Sequence, residues 1–432
     1  MTKCRPTARG ASSGSVKSSD DGISETRVAV RSGAMQLRVV AEVLTRKFQS
    51  VLSNRVAQKV AGCWYSFEVP VASTTPSFPH HMDKADAPSA ASFPNGTCTY
   101  MCPERERRER EAQKRLHPFE VLDGTEQHRI PRADPLKIVK EYARPAAGKD
   151  STKPSDLRPP FVLLQTVQYL VDDVLPRSDV PWSQVYSFVF DRLRAVRQDM
   201  TIQRVGGETC VAILEKCLGF LLSAAYRLCE APLCHFDPRI NDTHVQECFG
   251  WLRRCYRSGM CEQEAEYQAV FLLYNLGSLE ALRQALLLPT HIRKTPEVRM
   301  AMSVNRAYLE GNFVRFFRLL SQLSPLQACS IHRHVAPCQH QGLRIFSHGF
   351  SSKNCRYPLD RLALLLGFDS RLQATQFCQQ HGLTIVGNSV IFLRSAFKDP
   401  GAVLHVHSYE LVDKKLGLRT WSEIINEPSL QL

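Results

Sequence analysis

The sequence predicts an all-α helical-repeat body followed by a small winged-helix domain, with a disordered N-terminal region ahead of both. Three observations predict it. From Asp134 to about Ser351, apolar residues recur at i, i+3 and i+4, and the links between segments are short. From Pro358 the pattern becomes helix, turn, helix and then two short β-branched runs, the order of a winged helix. Residues 1–100 carry Ser-, Gly-, Pro- and Thr-rich tracts with too little apolar surface to offset chain entropy.

Taken in order, 1–100 is the disordered extension, within which Met35–Leu52 has helical spacing and is read as a short isolated amphipathic helix. Residues 101–133 hold a charged helix after Pro103 and an apolar anchor, Phe119-Glu120-Val121-Leu122. The run E-R-E-R-R-E-R-E offers i,i+3 and i,i+4 pairs and reads as a solvated helix. Residues 134–351 form the repeat body. Its candidate helices are Asp134–Tyr142, Pro160–Leu175, Trp182–Arg197, Glu208–Cys229, Thr243–Arg257, Glu262–Leu276, Leu279–Leu288, Pro296–Glu310, Phe313–Leu323 and Pro325–Ser347. Gly277-Ser278, Gly311-Asn312 and Ser324-Pro325 mark links short enough to make neighbours antiparallel and stacked. No strict sequence repeat is visible. In 352–398, Pro358–Gly367 ends in a Gly stop, and Asp369-Ser370 caps Arg371–His381. Leu383–Val386 and Val390–Arg394, joined through Gly387-Asn388-Ser389, read as a hairpin. Residues 399–432 are a tail with a helix at Trp421–Asn426.

The 432 residues include 55 Lys and Arg against 42 Asp and Glu, a net charge of +13. That excess favours polyanionic partners such as nucleic acid. The fifteen cysteines follow no disulfide pattern, and several lie in apolar helical stretches. Met1–Asp20 lacks the apolar run of a signal peptide, so a reducing compartment, cytosol or nucleus, is expected. No window of roughly 18 apolar residues is expected to span a membrane, and Val211–Tyr226 reads as a buried helix.

Catalytic signatures are sparse. The chain has no P-loop and no H-E-x-x-H. One G-x-S-x-G match, Gly10–Gly14, falls in the N-terminal extension without the strand and helix that a nucleophile elbow needs. His332, His334, Cys338 and His340 are spaced unlike any standard structural zinc site, as are Cys229, Cys234 and His235. The pair Cys98 and Cys102 lies in a linker. Neither enzymatic activity nor a cofactor, metal, small-molecule substrate or membrane partner is expected.

Four blocks occur in order: Met101-Cys-Pro-x-x-Glu-Arg, Arg144–Lys149 (R-P-A-A-G-K), Asp156–Pro160 (D-L-R-P-P) and Asp191–Asp199 (D-R-L-R-A-V-R-Q-D). With Gly311–Leu320 and Leu362–Phe368, they make the chain resemble the SAC/GANP family from about Met101 to Lys398, and its short vertebrate members most of all. The resemblance implies a TPR/PCI-like helical body ending in a winged helix. It also implies partners: a PCI-type subunit, a small acidic peptide and nonspecific RNA. Large members of the family scaffold messenger-RNA export at the nuclear pore, and short ones act in centrosome duplication and on the spindle. The chain shows one Phe-Gly pair, Phe249-Gly250, so a centrosomal, spindle and cytoplasmic scaffold is the expectation. A nuclear export subunit is the alternative.

Candidate contact residues follow. Arg144 and Lys149 flank a Pro-fixed loop, which either braces two helices or presents two cations to phosphate or a partner carboxylate. Arg192, Arg194 and Arg197 share a helix with Asp191 and Asp199; Arg–Asp pairs between stacked helices are preferred to nucleic-acid contact. In the winged helix, Lys353, Arg356, Arg361, Arg371 and Arg394 are basic. The second helix carries one Arg, at its start, so phosphate contact or protein pairing is expected there and base reading is not.

Overall fold

The computed structural model describes residues 93–144, 153–259, 261–401 and 404–428. The disorder expected of residues 1–92, the Met35–Leu52 helix and Lys149 lie outside them. Helix α1 (Glu104–Ala112) follows Pro103 and places Glu104 and Glu106 against the positive end of its dipole. Most of it is solvent-facing, as expected, but Arg110 is fully buried. Asp134–Tyr142, expected as a helix, is not helical. Its apolar pair, Ile138 and Val139, is adjacent rather than four apart, and carboxylates take its amides. Val139 N–H donates to Glu120 Oε1 (3.1 Å), Glu141 N–H to Glu106 Oε1 (2.7 Å) and Tyr142 N–H to Asp191 Oδ2 (3.2 Å).

Helix α2 (Pro160–Tyr169) has Pro at its first position, where the missing N–H costs nothing, and runs into a π-helical turn, Leu170–Val174. Helix α3 (Trp182–Gln203) ends at Arg204 in the left-handed region. Helix α4 (Gly207–Arg227) is long and apolar enough to cross a membrane by length and composition, but 78% of its apolar window is buried, as expected for Val211–Tyr226. It is the centre of the first hydrophobic core, enclosed by α2, α3, α5 (Pro238–Cys255) and later elements. Gly219 on α4 lets the last helix approach: a Cβ there would meet Ile425 side-chain atoms at 3.1 Å.

Side-chain caps punctuate the body. Asp237, Ser278, Thr295, Asn312 and Ser324 accept from first-turn amides of α5, α7 (Leu279–Leu286), α9 (Pro296–Leu309), α10 (Phe313–Leu320) and α11 (Pro325–His332). Between these stand α6 (Glu264–Tyr274) and the one-turn α8 (Thr290–Arg293). The single helix expected over Pro325–Ser347 is two, α11 and α12 (Val335–Gly349). Pro337 has no N–H to give a continuous helix and is accommodated in the first turn of the new one. The second core runs from α6 through α9, α10 and α12 to the C-terminal module, with Phe316, Leu343 and Leu366 fully buried.

That module comprises β1 (Arg356–Pro358), α13 (Leu359–Leu366), α14 (Arg371–Gln380), β2 (Thr384–Val386) and β3 (Ser389–Ile391). The sheet is antiparallel in the order β1-β3-β2, with Tyr357 opposite Val390 and Ile385 opposite Val390 on the other side. Gly367, at φ +65°, closes α13, and a Cβ there would strike Phe317 Cδ1 at 2.9 Å. Residues 404–428 then return along the body. Leu411 and Val412 enter the second core, while Ile424 and Ile425 of α15 (Trp421–Asn426) enter the first. Lys415 Nζ donates to the carbonyls of Leu320, Ser321 and Leu323 (2.8–3.0 Å), capping the C-terminal end of α10. Burial lowers its pKa to about 8.

Candidate partner and nucleic-acid interface

Three of the four sequence blocks meet in a buried charged cluster. Asp199, fully buried on α3, accepts from Lys140 Nζ (2.7 Å) and Arg158 Nε (2.8 Å). Arg158, from D-L-R-P-P, also donates to Met101 O (3.3 Å), joining the first block. A second centre is Glu120, fully buried, which takes Arg110 and Arg192 together; Arg192 Nη2 stands 3.1 Å from Glu120 Oε1. Arg110 reaches Val139 O (3.0 Å) and the Glu141 carboxylate (3.2 Å) as well. Burial pulls the Arg110 pKa down, but Glu120 and Glu141 hold it above its ordinary value. Burial lowers the pKa of neighbouring His117 to about 4, keeping it neutral.

The α3 arginines therefore have partners other than those expected. Arg192 pairs with Glu120 and with the adjacent Asp191. Arg194 lies over the Tyr142 ring at 3.9 Å. Arg197 meets Glu247 (3.3 Å) and His244 (3.0 Å) on α5. Only the Arg197 pair joins two stacked helices; the aspartates are drawn instead to the extended segment at 140–142 and to Arg158. The reason is that 138–142 runs non-helically beside α3 and carries its own unmet amides and cation. Arg144 is exposed at the last described residue before the R-P-A-A-G-K loop, whose Lys149 lies beyond the described residues.

The C-terminal module has the opposite character. Lys353, Arg356, Arg361, Arg371 and Arg394 are all exposed. Arg371 Nη1 donates to Asn388 Oδ1 (3.0 Å) in the hairpin turn and stands 3.9 Å from Asp360. Among the described residues the other four make no ion pair. Three of them converge at β1, an edge of the sheet. Arg356 opens β1 opposite Ile391, Arg394 N–H donates to Ser351 Oγ (3.1 Å), and Ser352 N–H donates to Phe392 O (3.0 Å) beside Lys353. Phe350, 42% exposed, stacks on Phe346 next to them. Arg361 projects from α13, which with α14 also exposes Leu364 and Leu372, at 80% and 66%.

The histidine–cysteine set at 332–340 is dispersed. His332 Nε2 faces Val406 O (2.9 Å), His334 Nε2 faces Tyr274 O (2.9 Å), and His340 Nδ1 faces His381 Nε2 (2.8 Å). Burial lowers His332 and His334 to about 4. Cys98 and Cys102 turn to separate carbonyls, those of Tyr100 and Pro103. A cavity lined by His332, Gln339, His405 and Ser408 holds about 10 Å³, the room of one water.

Sequence reading missed Glu120, Lys140 and Arg158 as the centres of the buried cluster, although Arg158 stood inside a quoted block. It also missed β1, whose three residues end in Pro358, and with it the grouping of Phe350 with the three cations. Basic residues beside an aromatic at an edge were the available signal.

The SAC3/GANP family model matches residues 101–387. Protein xmas of Drosophila melanogaster is 29% identical over 349 residues, 77% of this chain and 17% of that protein. SAC3 family protein 1 of Schizosaccharomyces pombe is 28% identical over 362 residues, 77% of this chain and 35% of that protein. SAC3 family protein B of Arabidopsis thaliana is 28% identical over 312 residues, 67% and 18% respectively. The chain thus spans between 17% and 35% of the length of these curated relatives.

Proposed function

The chain belongs to the SAC3/GANP family, and from that membership we propose that it is a noncatalytic scaffold whose residues 352–398 form a winged helix contacting RNA. One observation carries this reading. The arginines of the α3 and D-L-R-P-P blocks are engaged internally, whereas Lys353, Arg356, Arg361 and Arg394 stand exposed on one small module, without ion pairs among the described residues. Three of these cations beside Phe350 supply phosphate attraction and a stacking surface, the combination that holds single strands without reading bases. Leu364 and Leu372 offer the same module an apolar seat for a partner protein, of the PCI-type or acidic-peptide kind associated with the family.

Nuclear messenger-RNA export is the setting we favour, because free cations suit a polyanion. Centrosome duplication and spindle organisation is the alternative, resting on likeness to the short family members. Titrating an RNA oligonucleotide at several salt concentrations tests the RNA contact: log affinity should fall steeply with log salt, and a flat response overturns it. Depletion in dividing cells separates the settings. Retained nuclear polyadenylated RNA supports export, while spindle defects with normal RNA distribution support the alternative.

A further inference from the structure

We propose that Cys229, Glu230 and His407 form a zinc-binding site that fastens the returning C-terminal segment to the end of α4. Their ligand atoms, Cys Sγ, a carboxylate oxygen and an imidazole nitrogen, all lie within 4.8 Å of one another. They come from two segments far apart in sequence, and the backbone already holds them together. His407 N–H donates to Glu230 Oε1 at 2.8 Å, and His407 Nδ1 stands 3.0 Å from the same oxygen. Thiolate, imidazole and carboxylate together suit zinc and do not suit magnesium or calcium, which take oxygen donors.

The electrostatics point the same way. The α4 C-terminus presents its carbonyls here, with Arg227 O 3.2 Å from His407 Nε2, and a helix C-terminus favours a cation. The guanidinium of Arg227 itself is stacked over Trp182 at 3.9 Å. On binding, the Cys229 S–H bond breaks, the Zn–S bond forms and the proton passes to solvent. Three protein ligands leave a fourth position for water. Metal binding would add a second fastening beside Asp369, whose carboxylate accepts from Ser408 Oγ (2.8 Å), Tyr409 N–H (2.8 Å) and Glu410 N–H (2.9 Å).

The test is titration of chelator-treated full chain with Zn²⁺ alone, read by metal analysis, with Co²⁺ absorption as the reporter of thiolate ligation. Wild type should take up about one equivalent, and Cys229→Ser and His407→Gln should each weaken binding by about 100-fold or more, beyond what outer-shell changes cost. Zn²⁺ should raise the unfolding midpoint of wild type and leave that of Cys229→Ser unmoved, with circular dichroism confirming that both fold. Cys234→Ser, five residues on, should keep the metal. Equal zinc binding by wild type, Cys229→Ser and His407→Gln overturns the site, as does loss of zinc in Cys234→Ser alone.

Discussion

The cluster around Glu120 and Asp199 and the module around β1 both carry high densities of arginine and lysine, yet they use them in opposite ways. In the cluster each cation is dehydrated and held by a carboxylate, a carbonyl or a ring. In the module the cations are exposed and, among the described residues, make no ion pair, apart from Arg371. Charge content alone therefore says little about binding. What separates the two regions is whether carboxylates and backbone acceptors stand within reach. The first region converts charge into geometry, because bidentate and buried contacts tolerate little displacement. The second leaves its charge exposed at the surface.

The largest effect that would break this contrast is expected at Asp199. Asp199→Asn leaves Lys140 and Arg158 facing a neutral group in a buried site and should destabilise the fold by about 3–5 kcal/mol in urea unfolding. A loss under about 1 kcal/mol would mean the cluster is hydrated and no different from the module. The triple variant Lys353→Glu, Arg356→Glu, Arg394→Glu should leave stability within about 0.5 kcal/mol while lowering the RNA salt slope by about 2. An unchanged slope would place any RNA contact elsewhere.

A titration in the body sharpens the comparison further. Burial raises the Glu266 pKa to about 7, although Ser324 Oγ (2.6 Å) and Gln327 donate to the carboxylate. The folded state thus binds a proton that the unfolded chain releases near the ordinary value of 4.5. Stability from this group is present below that value and is lost as pH rises toward 7. Glu266→Gln should remove the dependence, so that variant and wild type differ by about 3 kcal/mol more in the variant's favour at pH 7.5 than at pH 4.5. Parallel pH profiles would show that Glu266 is already solvated. The smallest effect is expected of Arg371→Ala, which loses an exposed pairing with Asp360 and one bond to Asn388. Its midpoint should move by no more than about 0.5 kcal/mol.

Much of the helical architecture was legible because it is carried by local signals. Ser278, Thr295, Ser324 and Ser370 stand at their N-caps, and Gly367 and Gly382 close α13 and α14. The failures share a cause: the deciding partner is distant in sequence. Asp134–Tyr142 is expected to be helical, but its amides are claimed by Glu120, Glu106 and Asp191. Arg110 looks solvated among its charged neighbours until Glu120 and Val139 arrive from the following turns. The exposure of Lys353, Arg356 and Arg394 could be guessed from charge, whereas their convergence required β1, which pairs with a strand more than thirty residues later. The break at Arg333-His334 was readable in principle from Pro337.

The returning segment at 404–428 also constrains how the chain can be made. Ser422 Oγ donates to Val171 O (2.6 Å) and Asn426 Nδ2 to Asp172 Oδ1 (2.8 Å), contacts separated by 251 and 254 positions along the chain. Ile424 and Ile425 complete a core whose other walls are synthesised long before them. During translation the part of α4 around Gly219 that Ile425 covers stays exposed until α15 has emerged, so the first core is completed last. Such late, nonlocal closure slows folding and leaves a sticky intermediate in the interval, giving chaperones and premature partners their opportunity before the finished scaffold exists.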